Sequence, residues 1–107
     1  MFIDCPFLGG PVELTSERLR HILLRHPELV DGAAELIQEC VSDPDEIRVS
    51  SAEGEALLFT RKLKHRIGGR FIVSVVVEDK LRRPQHWVVT AYTTSRLGQG
   101  EVIWIRS

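Results

Sequence analysis

The feature that most constrains the fold is a change of hydrophobic period at the turn "SDPDE", residues 42–46. Before it, apolar residues recur at helical spacing. After it they alternate in segments rich in Val, Ile, Thr and aromatic residues. Five segments follow, separated by breaks short enough to join antiparallel neighbours: "IRVS", "EALLFTRKL", "RFIVSVVVED", "HWVVTAYTTS" and "EVIWIRS". The chain is therefore predicted to form helices first and a sheet afterwards.

Two helices are predicted before this turn. The first begins where Thr15 or Ser16 can cap free amides, and it ends at His26 because Pro27 disfavours helical geometry in the residue before it. The second covers residues 31–42. The buried stripe of the first helix contains Leu19, Ile22, Leu23 and His26. The predicted fold class is α+β, with two N-terminal helices packed on a four- to five-stranded, mostly antiparallel sheet.

Length and composition predict one soluble domain over residues 1–107, with residues 1–11 as an N-terminal extension. The chain is 43% hydrophobic and 27% charged, which is typical of globular domains. Its apolar runs are too short to span a bilayer, and the N-terminus lacks the pattern of a signal peptide. Two cysteines do not make a disulfide framework. We therefore expect a cytoplasmic protein without a membrane segment.

The charges are divided unevenly between the two halves of the chain. Residues 1–55 hold twelve acidic and four basic residues, and residues 56–107 hold three acidic and ten basic ones. The halves thus carry about −8 and +7. One interpretation is that the basic half binds an anionic partner. The other is that the two halves attract each other within the fold.

His21 and His26 are five residues apart in the first predicted helix. That spacing separates them by about 140° around the helix axis, whereas a helical metal pair needs histidines that share a face. No metal site and no cofactor are predicted. His21 lies opposite the buried stripe and is interpreted as a surface residue. His26 is interpreted either as a core-edge residue or as a group that transfers a proton.

Two further segments offer groups that could contact phosphate. The cluster "RKLKHRIGGR" is either a phosphate-contacting hairpin or a charged hairpin that protects a sheet edge, and its basic residues are Arg61, Lys62, Lys64, Arg66 and Arg70. In "WVVTAYTTS", strict alternation with Trp87 and Ala91 towards the helices would turn Val88, Thr90 and Tyr92 to the other face. That face is either an ordinary polar sheet surface or a set of hydroxyl donors.

The order of these segments resembles a family of small nuclease domains. "LTSERLRHILLRHPEL", "DPDEI", "ALLFTRK", "FIVSVVV" and "VVTAY" resemble phage- and mobile-element-encoded domains grouped with barnase, EndoU, colicin and RelE (the BECR fold). The resemblance implies a metal-independent endoribonuclease, often a toxin, that acts on RNA and in some cases has a cognate inhibitor protein. It also implies catalytic roles for His26, His21, Arg61, Thr90 and Tyr92, with Arg61 or Lys62 as the cation, and RNA contacts from Lys62, Lys64, Arg66 and Arg70.

The implied reaction uses a nucleophile that RNA supplies itself. A base removes the proton of the 2′-hydroxyl, an acid protonates the leaving 5′-oxygen, and a cation offsets charge on the phosphorane. The product would be a 2′,3′-cyclic phosphate. The alternative is a non-catalytic RNA-binding or protein-interaction module of the same fold. The two alternatives differ in whether RNA is cleaved.

Overall fold

The computed structural model describes residues 1–29, 31–50, 55–63, 71–98 and 100–107. These residues form two helices and seven strands. A 3₁₀ turn, Pro27–Leu29, lies between the two helices. In chain order the elements are β1 (Phe2–Cys5), β2 (Gly10–Glu13), α1 (Ser16–Arg25), α2 (Ala33–Ser42), β3 (Glu46–Val49), β4 (Leu57–Lys62), β5 (Phe71–Glu78), β6 (His86–Thr94) and β7 (Glu101–Ile105).

All seven strands belong to one mixed sheet in the order β1-β2-β6-β5-β4-β3-β7. Strands β2 and β6 pair in parallel, and the other neighbours are antiparallel. The prediction of two N-terminal helices on a four- to five-stranded sheet was therefore wrong. The chain begins with a hairpin, β1 and β2, which joins the sheet beside β6 and precedes both helices.

Residues 1–11, predicted as an N-terminal extension, contribute β1 and the start of β2. Ile3, Cys5 and Val12 of this hairpin are completely buried. Each strand has only four residues, and Pro11 interrupts the second, so the alternating signal was too short to stand out. Burial against α2, which packs on β1, stabilises these strands more than their own propensity does.

Helix α1 begins and ends close to the predicted positions. The Thr15 side chain caps it by accepting a hydrogen bond from the Arg18 amide at 3.0 Å, and Glu17 lies in its first turn. His26 follows its last residue, and Pro27 then opens the 3₁₀ turn. Ile22 of its apolar stripe is completely buried, whereas His26 is half-buried. The side chain of His26 is thus accessible from one side.

The main core lies on the side of the sheet that the helices cover. Helix α2 packs on β1, β4 and β5, and α1 packs on β6. The largest completely buried side chain is Phe59. It belongs to one apolar cluster with aliphatic residues of both helices, the 3₁₀ turn and the sheet: Ile3, Ile22, Leu29, Ile37, Ile47 and Ile72. Neither helix among the described residues has the length and apolar character needed to cross a membrane.

The other side of the sheet carries a second, smaller apolar cluster. Ala56, Leu58, Val73 and Val75 form it, with Leu97 from the loop after β6 packed against them. No described helix contributes to this cluster, so part of this face stays open. We call it the uncovered face.

A β-bulge changes which side chains of β6 reach the uncovered face. Val75 pairs with Thr90 but Val76 pairs with Val88, so Val89 is an extra residue on β6. Val88 therefore lies in the main core, and Trp87 lies on the uncovered face opposite Val77. Strict alternation had assigned both residues to the wrong faces, because one extra residue inverts the facing of everything before it.

Candidate functional site

A pocket opens on the uncovered face between the sheet and the loop that follows β6. Its volume is about 190 Å³. This is smaller than the pockets of about 300–1,000 Å³ that enclose drug-sized ligands, so it suits a single group such as a phosphate or one ring. Of the described residues that line it, two are arginines and none is acidic: Arg48, Leu58, Thr60, Val73, Tyr92, Thr94, Arg96, Leu97 and Gly98.

The loop after β6 is held over this pocket by local hydrogen bonds. The Thr94 hydroxyl donates to the Arg96 carbonyl at 2.9 Å and accepts from the Arg96 amide at 3.3 Å. Gly100 then has a positive φ of 81°, and a Cβ there would lie 2.3 Å from the Val49 carbonyl oxygen. Only glycine fits this close approach to β3. The Arg96 backbone is therefore held against the end of β6, and Gly100 lies close to β3.

Tyr92 and Arg96 present polar groups that are not engaged elsewhere. Within the described residues, neither the Tyr92 hydroxyl nor the Arg96 guanidinium has a hydrogen-bond partner. Burial raises the pKa of the Tyr92 phenol above its ordinary value, so the phenol is neutral at pH 7 and can donate a hydrogen bond. By contrast, Arg48 pairs with Glu46, and the Thr60 hydroxyl donates to the Glu46 carbonyl.

His26 lies directly beside Tyr92. Beyond the short pairing with β2, the edge of β6 has no neighbouring strand among the described residues, and the end of α1 lies along it. The His26 and Tyr92 rings are 6.0 Å apart between centroids. Nδ1 of His26 is 3.7 Å from the Glu28 carboxylate, which also accepts from the Thr93 hydroxyl at 3.3 Å. Glu28 thus links the imidazole to the strand that carries Tyr92.

His21 and Arg61, two of the predicted catalytic residues, are not at this pocket. His21 is exposed on the outer side of α1, in a shallow groove with Arg18 and Arg20. Arg61 lies on the helix-covered side of the sheet, where it pairs with Glu39 at 2.9 Å and with Asp43 at 3.2 Å. These ion pairs attach β4 to α2.

The other predicted residues are distributed between the uncovered face and the undescribed part of the chain. Thr90 lies on this face beside Val75, and Lys62 lies on it in register with Phe71. Lys62 is exposed at the end of β4. The remaining predicted RNA contacts lie outside the described residues: Lys64, Arg66 and Arg70.

Three residues near the pocket were not singled out from the sequence, although two of them had a signal there. Arg48 follows Ile47 in β3, so alternation turns it to the side opposite the main core. Glu28 is two residues after His26, within reach of the same edge. Arg96 comes shortly after Thr94 in "TTSRLG", but nothing in that loop predicts that it folds back over the sheet. Only the last of the three required the tertiary structure.

The described residues contain no group of three or more His, Cys, Asp or Glu side chains placed to hold a metal ion. Comparison of the chain with protein-family models, with curated proteins and with solved structures found no match. The arrangement of His26, Glu28, Tyr92 and Arg96 is therefore the basis for the functional proposal.

Proposed function

We propose that this protein is a metal-independent endoribonuclease whose site lies at the His26–Tyr92 edge of the uncovered face. The observation that carries the proposal is that His26 is in ring contact with Tyr92, which also lines a pocket containing Arg48 and Arg96. A titratable group, a neutral hydrogen-bond donor and two cations thus occur together. Cleavage by the RNA 2′-hydroxyl uses groups of these kinds.

In the proposed reaction the 2′-oxygen attacks the adjacent phosphorus, and the bond from phosphorus to the 5′-oxygen breaks. The proton of the 2′-hydroxyl goes to a base, and an acid gives a proton to the leaving 5′-oxygen. The products are a 2′,3′-cyclic phosphate and a free 5′-hydroxyl. His26 carries one of these two proton transfers and solvent water carries the other. A positioned group such as His26 typically contributes about 10²–10⁴ in rate.

The remaining residues bind and position the phosphate. The Tyr92 phenol donates a hydrogen bond to a non-bridging oxygen. Arg96 offsets the charge that accumulates on the phosphorane, a role that the resemblance had given to Arg61 or Lys62. Glu28 holds the imidazole ring against β6 and is a positioning residue. The resemblance to the BECR nucleases supports the same reaction type.

The test is incubation of the purified protein with a mixed RNA pool in excess EDTA, followed by analysis of the RNA ends. We expect fragments with cyclic-phosphate ends. His26→Ala should lower the rate at least about 10²-fold. Tyr92→Phe removes one hydrogen bond to a charged group and should cost roughly 10- to 100-fold. His21→Ala is the matched control, because it removes an exposed imidazole from the same helix.

Equal activity of His26→Ala and His21→Ala, with all variants folded by circular dichroism, would contradict the assignment of the site. Absence of cleavage by the wild type would contradict the reaction itself. The alternative is then an RNA-binding module of the same fold. One observation favours it: among the histidines that the structure describes, His26 alone lies at the site. That module would bind the RNA pool in a salt-dependent manner and leave it intact.

A further inference from the structure

Helix α1 and strand β6 run side by side, and they contact each other at two places through polar and aromatic side chains. Arg18, Ile22 and His26 are spaced i, i+4, i+8, and they form one stripe along α1 and the residue that follows it. Ile22, in the middle, is completely buried. The guanidinium carbon of Arg18 lies 5.7 Å from the centre of the Trp87 ring, and His26 contacts Tyr92. The eight-residue separation along the helix corresponds to about 12 Å.

At the first of these two contacts between α1 and β6, a cluster of two arginines lies against the ring of Trp87. The guanidinium carbon of Arg82 lies 4.7 Å from the Trp87 ring centre, and Nη2 of Arg82 binds Glu13 at 2.8 Å. Stacking on a ring occupies the faces of a guanidinium but leaves its in-plane N–H groups available for an acceptor. Arg18 makes no ion pair with any described residue, so its charge is not neutralised.

Two donors of this cluster have no acceptor. Nη1 of Arg82 and Nε1 of Trp87 are buried and lack a hydrogen-bond partner among the described residues. A donor without an acceptor contributes an uncompensated positive potential in a low-dielectric environment. Only one carboxylate, that of Glu13, pairs with the cluster within the described residues. The potential there therefore favours an anion.

We propose that Arg18, Trp87 and Arg82 form a second subsite that binds a backbone phosphate of single-stranded RNA, about 12 Å along α1 from the His26–Tyr92 pair. The proposal rests on the proposed function, because it assumes that an RNA strand cleaved at the His26–Tyr92 pair continues along the β6 edge to this subsite. Trp87, Thr90 and Tyr92 all lie on the uncovered face of β6, so one strand of RNA can contact the three in succession. Proteins that bind single strands likewise combine basic side chains along the backbone with aromatic side chains.

The first test uses substrate length. A dinucleotide has one phosphate and cannot occupy both subsites, whereas a hexanucleotide can. We expect the wild type to have the higher kcat/KM for the hexanucleotide. Arg18→Ala should lower the ratio of the two kcat/KM values about tenfold, as loss of a hydrogen bond between charged groups predicts. Arg20→Ala is the matched control, since it removes the same charge from an exposed position of α1 that does not contact Trp87.

The second test measures binding without cleavage. Trp104→Phe leaves Trp87 as the only tryptophan of the chain. We expect a 2′-O-methyl hexanucleotide, which lacks the nucleophile, to change Trp87 emission saturably at low salt. Adding Arg18→Ala should weaken this binding about tenfold, and adding Arg20→Ala should leave it unchanged.

The two proposals fail in different ways. If the wild type cleaves no RNA but Trp87 responds to the hexanucleotide, the reaction is wrong and the phosphate subsite is supported. If RNA is cleaved but Trp87 emission does not change, the subsite is wrong and the reaction stands. Equal weakening by Arg18→Ala and Arg20→Ala would show a diffuse charge effect, and it would overturn the subsite as well.

Discussion

Tyr92 is the residue at which the parts of the proposed site meet. Its ring contacts His26 on one side, and its face of β6 lines the pocket that includes Arg96. Trp87 and Tyr92 are five residues apart, so they share a face only because Val89 is an extra residue between Val88 and Thr90. A single bulged residue thus allows the strand to place Val88 in the main core while Trp87 and Tyr92 both reach the uncovered face.

Cys40 is a residue whose environment makes it chemically inert. Its thiol is completely buried, donates to the Phe59 carbonyl at 3.2 Å, and burial raises its pKa to about 12 from the ordinary value of 9.0. The thiolate is the reactive form, so the raised pKa leaves very little of it at pH 7. In a Cys5→Ala variant, we expect a thiol reagent to modify Cys40 rapidly in concentrated guanidinium chloride and very slowly in the native protein. Rapid modification of the native variant would show that Cys40 is accessible.

At the scale of secondary-structure elements, the hairpin of β1 and β2 decides the architecture. It pairs with β6 only through Val12 and Glu13, so its attachment to the sheet is short. The remainder of its stability comes from side chains buried against α2. The Met1 ammonium group also donates to the Leu14 carbonyl at 2.7 Å, which connects the two ends of the hairpin segment.

Adjacent residues of β1 should therefore differ sharply in their contribution to stability. Ile3 is completely buried and Phe2 is 63% exposed. Ile3→Ala should lower the free energy of unfolding by about 2–5 kcal/mol, because it leaves a cavity in the core. Phe2→Ala should change it by less than about 0.5 kcal/mol. Urea unfolding followed by circular dichroism measures both. Similar values for the two variants would mean that β1 is not part of the cooperative core.

At the scale of the whole molecule, the uneven charge distribution is partly used inside the fold. Basic residues of the second half pair with acidic residues of the first half at three places. Arg61 binds Glu39 and Asp43, Arg82 binds Glu13, and Arg106 binds Asp43 and Asp45. The interpretation that the halves attract each other therefore accounts for part of the asymmetry. Arg96 and Arg18 make no such pair within the described residues, and they are among the cations that the two proposals use.

Asp43 connects α2, β4 and the C-terminal segment, and it should make stability depend on pH. Hydrogen bonds from Arg106, and secondarily from Arg61, hold the pKa of the Asp43 carboxyl below its ordinary value. A lowered folded-state pKa contributes stability above the unfolded pKa of about 3.9, and this contribution is lost as the pH falls through the folded value. The wild type should therefore have a higher urea midpoint than Asp43→Asn at pH 7, and the two midpoints should converge below about pH 4.

Asp4→Asn is the matched control for that experiment. Asp4 is exposed on β1 and makes no ion pair with a described residue, so its substitution should leave the pH profile unchanged. A constant difference between wild type and Asp43→Asn across the whole pH range would mean that the ion pairs do not change the titration of Asp43.

The sequence alone determined the elements with strong periodicity and those features of the site that belong to a single element. The stripe of α1, its cap at Thr15 and its end before Pro27 are local, and so are the five later strands. His26 at the helix end and Tyr92 on β6 could both be selected from these patterns. Local patterns carry such information because backbone geometry fixes which residues share a face.

Only the tertiary structure decided how these pieces combine. The β1–β2 hairpin, the parallel pairing with β6 and the bulge at Val89 are stabilised by long-range burial, which no short sequence window contains. The same holds for the surroundings of Arg61 and Arg96. Arg61 faces α2, where Glu39 and Asp43 pair with it, whereas Arg96 lines the pocket on the uncovered face and is therefore the cation of the proposed site. The sequence determines the charge of each side chain, but the residues that surround that charge depend on how the whole chain packs.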